Sequence, residues 1–158
     1  MTSGNICKIL VLTVAITIIP NFVECAETSV LRKQCLAKVL PGKTTEDVEW
    51  NNVKKEAIEN DNREFQCFIL CELTNLNILK SDGAVQTNGN PLEPALGDKI
   101  SECSNLELYQ DNCKAAKNAA SCLIEATHKL EKYYEVENIF QAEWKKFENS
   151  GKLIEWNN

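Results

Sequence analysis

Thiol chemistry is what this chain is best equipped for. Its 158 residues carry eight cysteines: Cys7, Cys25, Cys35, Cys67, Cys71, Cys103, Cys113 and Cys122. A thiol can act as a nucleophile, a metal ligand or half of a disulfide. Only one histidine, His128, accompanies them, which argues against a Cys/His zinc domain, and no metal is expected. His128 stands beside Lys129 and lacks the neighbouring Asp of a secreted phospholipase site. There is no Gly-x-Ser-x-Gly nucleophile elbow. The chain is therefore read as a non-enzyme that needs no cofactor.

The N-terminus decides which thiols matter. Lys8 is followed by an unbroken apolar run, apart from Thr13 and Thr17, over residues 9 to 19, closed by Pro20. It falls well short of the roughly 20 residues of a membrane span and fits the core of a secretory signal. Val23 and Cys25 suit the two small-residue positions before a signal-peptidase cut, which places cleavage before Ala26. Residues 1-25 are thus read as an export signal. Cys7 and Cys25 leave with it, and six cysteines remain for an oxidising compartment. No second apolar run follows, so no membrane insertion is expected after cleavage. Seventeen basic and 23 acidic residues give a net charge of -6 without a basic block, which excludes nucleic acid as an expected partner.

The elements that must position the six thiols read as helices. Thr44-Thr45-Glu46-Asp47 offers a cap and an acidic first turn for a helix through Val53 and Ala57. Asp61 and Glu64 resemble a capping box, after which Phe65, Phe68, Ile69, Leu73 and Leu76 recur at helical spacing. Asn90-Pro91 reads as a helix start, with one short helix expected from Leu92 to Cys103 despite Gly97. Residues 111 to 148 contain neither Gly nor Pro and carry an apolar stripe, giving one or two amphipathic helices. No segment alternates with a period of two. The fold class is all-α.

Helix geometry restricts the pairing. Cys67 and Cys71 lie one turn apart on one face, so each is expected to reach another helix. Cys113 and Cys122 on one unbroken helix would be separated by about 13.5 Å, against a disulfide limit of roughly 7 Å. The result is a cage of crosslinked helices, each bond contributing roughly 3–4 kcal/mol in the chain-entropy model. Such a cage can tolerate a hollow interior.

The spacing Cys35-x31-Cys67-x3-Cys71-x31-Cys103-x9-Cys113-x8-Cys122 resembles the six-cysteine signature of the insect odorant-binding proteins. The block Phe65-Gln66-Cys67-Phe68-Ile69-Leu70-Cys71, followed by Leu76 to Val85 with its Ser81-Asp82-Gly83 turn, resembles that family's third helix and the turn beyond it. The resemblance covers about Leu31 to His128. It implies a compact bundle of about six to seven helices around an apolar cavity, stapled by three disulfides, Cys35 with Cys71, Cys67 with Cys113 and Cys103 with Cys122. It places the six-cysteine domain at 26-128 and leaves 129-158 as a helical extension packed on it. The stretch from Cys71 to Cys103 is shorter than usual in the family, so a trimmed fourth helix is expected.

The function so implied is that of a secreted, extracellular carrier. It would hold a small lipophilic ligand (an odorant or pheromone) and bring it to a membrane chemoreceptor. The alternative is a secreted scavenger or interaction protein on the same frame, salivary or haemolymph, binding amines or lipids; the long C-terminal extension favours it. The residues expected to line a pocket are Phe68, Leu73, Leu76, Ile100, Ala119, Ala120, Leu123 and Ile124. Tyr133, Tyr134 and Trp156 are expected to contact ligand from an extension lying across the pocket mouth. His128 is the side chain whose ordinary pKa lies near neutrality.

Overall fold

The computed structural model describes residues 29–107, 109–150 and 153–154. The export signal at 1-25 and Trp156 lie outside these. Among the described residues there are seven α-helices: α1 (Val30–Val39), α2 (Trp50–Lys54), α3 (Arg63–Asn75), α4 (Glu93–Leu96), α5 (Lys99–Ser104), α6 (Asn112–Leu130) and α7 (Tyr133–Ser150). A π-helical turn, Lys55–Glu59, continues α2. A lone antiparallel bridge, Leu79 to Val85, closes the hairpin after α3. The all-α expectation holds. Among these helices none is long and apolar enough to cross a membrane.

α3 is the central element. Every residue from Phe65 to Thr74 is buried, as expected of a helix packed on all sides. Its start is capped by Asn62, whose side chain accepts from the Glu64 amide at 3.1 Å. Asp61, expected in that role, sits one residue outside the helix at φ 53°. There its carboxylate accepts from Gln66 Nε2 at 2.8 Å and from Lys117 Nζ on α6. The cap falls one residue later than expected, where the short Asn side chain serves as well as Asp. α6 is capped by Asp111, which accepts from the amides of Cys113 at 2.9 Å and Lys114 at 3.2 Å.

Three further boundaries differ from the sequence reading. Thr44 does not open a helix: its amide and hydroxyl both donate to Asp47 Oδ2, at 2.7 and 2.9 Å, closing a turn, and α2 begins only at Trp50. The single helix expected over 92–103 is two, α4 and α5, because Gly97 takes φ 52° between them. α4 itself has four residues. The long stretch without Gly or Pro divides at Glu131, which adopts φ 54° while Lys132 N donates back to Thr127 O at 3.1 Å. A left-handed residue ended the helix without any glycine to announce it.

The disulfides are Cys35–Cys71, Cys67–Cys113 and Cys103–Cys122, with Cα separations of 5.8, 4.5 and 5.7 Å. α6 runs unbroken through Cys113 and Cys122, so those two could not have joined each other. Adjacent turns of α3 are tied to different helices, Cys67 to α6 and Cys71 to α1, and α5 is tied to α6. α7 carries no cysteine and packs on α1 and α6, with Phe147 as its buried anchor.

Candidate functional site: an apolar cavity with a buried ion pair

Between α7 and the disulfide cage lies a cavity of about 480 Å³. Two stripes form its sides. On α6 these are Ala120, Leu123, Ile124 and Thr127; on α7, Tyr133, Val136, Phe140 and Trp144. The first is spaced i, i+3, i+4, i+7 and the second i, i+3, i+7, i+11, each along one helix face. Leu73, Ile78 and Leu92 add apolar wall from α3, the hairpin that follows it and the start of α4. The exposed residues Trp50 and Asn51 of α2, with His128, Glu137 and Gln141, form a more polar rim. The His128 and Tyr133 rings meet edge to face at 4.8 Å, bracing the junction of α6 and α7.

The buried wall contains an ion pair. Arg32 Nε of α1 lies 3.0 Å from Glu72 Oε1 of α3, and their side chains are 11% and 3% exposed. Trp144 Nε1 donates to the same Glu72 oxygen at 3.2 Å. The guanidinium lies 5.7 Å from the Phe68 ring centroid and 5.7 Å from that of Trp144, so two aromatic faces also compensate its charge. Burial pushes the Glu72 carboxyl above the usual carboxylate range, against the opposing pull of Arg32 and of the Trp144 hydrogen bond. The disulfide explains the meeting. Arg32 is three residues before Cys35, and Glu72 directly follows Cys71, so closing that bond brings the two charges together.

The residues singled out from sequence fall into three groups. Leu73, Ala120, Leu123, Ile124 and Tyr133 line the cavity. Phe68, Leu76, Ile100 and Ala119 are buried in the core and are not among its lining residues, although Phe68 lies against Arg32. Tyr134 is 77% exposed and also outside the lining, and Trp156 lies outside the described residues. Leu153 packs on the core, and Ile154 N donates to Asn75 Oδ1 at 2.7 Å, near the end of α3.

Sequence reasoning missed Arg32, Glu72, Ile78, Leu92, Thr127, Val136, Phe140 and Trp144 among the cavity residues. Glu72 had a readable signal: it is an acidic residue in the middle of the most apolar helix, between Cys71 and Leu73. Val136, Phe140 and Trp144 also had one, being four apart on a helix without Gly or Pro.

The chain is similar to general odorant-binding protein 57c of Drosophila melanogaster, 25% identical over 125 residues, covering 75% of this chain and 83% of that protein. No family model and no solved structure matches it. The pairing order and the helical cage agree with the resemblance to the six-cysteine insect odorant-binding proteins, and this similarity supports it.

Proposed function

We propose that this protein is a secreted, non-catalytic carrier of small apolar molecules, bound in the cavity between α6 and α7 and conveyed through aqueous fluid to a membrane chemoreceptor. The cavity itself carries the reading. Its 480 Å³ falls within the roughly 300–1,000 Å³ typical of small-molecule sites. Its apolar stripes on α6 and α7 offer the surface that a lipophilic occupant would cover, while disulfides crosslink α1, α3 and α6 behind it. Export is supported by the three disulfides, which persist in oxidising compartments. Among the described residues every cysteine is disulfide-bonded, which supports binding in place of thiol chemistry.

The test is direct. The refolded, oxidised protein is titrated with an apolar dye whose fluorescence rises on burial, and volatile organic molecules are then used to displace it. Saturable one-site binding is expected. Substituting Ala120 with Phe projects a ring into the cavity from the α6 wall and should weaken dye binding at least tenfold. Full dye binding in that variant would overturn the site.

A further inference from the structure

We infer that Arg32 is the polar anchor of the cavity and selects ligands that carry a neutral hydrogen-bond-accepting oxygen, such as the carbonyl of a ketone, aldehyde or ester. The inference rests on the carrier reading and names the ligand chemistry of that same cavity.

Arg32 lines the cavity and is only 9% exposed. Its guanidinium carries five N–H donors and no acceptor. The Nε edge faces Glu72 at 3.0 Å. Among the described residues Nε and Nη2 are both buried and make no hydrogen bond, so Nε meets Glu72 as an ion pair only. A buried donor without an acceptor carries a desolvation penalty that a ligand oxygen relieves. A planar, weakly hydrated cation between two aromatic faces also suits a site from which water is excluded.

The charge balance at the pair decides which oxygen, the other two charged lining residues, Lys54 and Glu137, being of opposite sign. Arg32 and Glu72 already form a matched pair, so the cation's charge demand is met while its donors are not. A carboxylate ligand would bring a second negative charge next to Glu72 in a site of low dielectric. An amine would face the guanidinium. Trp144 already directs its N–H at Glu72, and Thr127 directs its hydroxyl at Leu123 O at 2.8 Å. Neither of these two donors competes for the ligand. A neutral acceptor adds no charge to the pair. Its apolar remainder would lie along the stripe Leu123, Ile124, Val136 and Phe140.

The test is a displacement series at neutral pH. An alkane, a methyl ketone, a carboxylate and a primary amine of equal carbon count compete for the apolar dye N-phenylnaphthylamine. A hydrogen bond from a charged donor corresponds to about tenfold or more in affinity, so the ketone should displace dye at a concentration about tenfold or more below the alkane, ahead of both charged ligands. The paired substitution Arg32→Met with Glu72→Met removes the anchor without leaving a lone buried charge, an exchange that folded proteins commonly tolerate. In that variant the ketone-to-alkane ratio should fall to near unity. Equal displacement by ketone and alkane in the wild type would overturn the inference. So would a lead for the carboxylate or the amine, or a ratio that survives the double substitution. If the wild type fails to bind dye at all, the carrier reading falls together with this inference. Dye binding without oxygen preference overturns the anchor alone.

Discussion

Trp144 joins α7 to the disulfide cage, and replacing it with Phe measures how firmly. The substitution removes the indole N–H and keeps an aromatic ring against Arg32 and Phe140, whose ring centroid lies 5.8 Å from that of Trp144. Glu72 Oε1 loses a donor at 3.2 Å while its side chain remains 3% exposed. Hydrogen bonds to charged groups contribute about 1.5–3 kcal/mol, and a 3.2 Å bond is long for its class, which favours the lower end. The smaller ring adds a packing loss of about 1 kcal/mol. The expected destabilisation is therefore about 2.5 kcal/mol, read from urea unfolding of the oxidised protein at neutral pH. A double-mutant cycle with Glu72→Met separates the two parts, because the cost of an unpartnered Arg32 is common to both of its arms. The coupling between Trp144 and Glu72 should be about 1.5 kcal/mol. A coupling below about 0.5 kcal/mol, the range of independent sites, would show that α7 is held by its apolar face alone.

Two further outcomes are expected. The Glu72 carboxyl is raised above its ordinary value of 4.5, chiefly by burial. Its contribution to stability is therefore fully present below that ordinary value and is lost as pH rises through the raised one. Thermal melts of wild type and Glu72→Gln across this window should show the wild type losing ground to the variant as pH increases; parallel profiles would contradict the assignment. Gly83→Ala should destabilise by about 2–4 kcal/mol, combining a left-handed penalty with overpacking. At φ 84° its new Cβ would lie 2.4 Å from Asn112 O and 2.7 Å from Ala116 N of α6, and a change in urea midpoint corresponding to under about 0.5 kcal/mol would show that the hairpin moves aside freely.

Much of the frame was legible because it rests on local rules. Cys113 and Cys122 share one helix, and no helix lets residues nine apart join, so each had to reach elsewhere. The resemblance then implied the pairing that the structure shows. Boundaries were less legible where two residues could serve equally, as with Asp61 and Asn62, or where the stop came from backbone conformation alone, as at Glu131. The cavity was half legible. Leu123 and Ile124 are lining residues on a readable stripe, but Phe68 and Leu76 lie on an equally readable stripe and are packed solid. Apolar spacing says which face is covered and is silent on whether the cover is side chains or space.

Spacing and composition were enough to establish helices and an amphipathic end, because each depends on residues within a turn or two of one another. Only the tertiary structure decided that Tyr133 faces the cavity while Tyr134 faces solvent, and that Arg32 meets Glu72. A charge looks the same in sequence whether it is solvated or buried. Its partner is chosen by which helices the Cys35–Cys71 bond draws together, and its cost by how completely α7 closes over the pair.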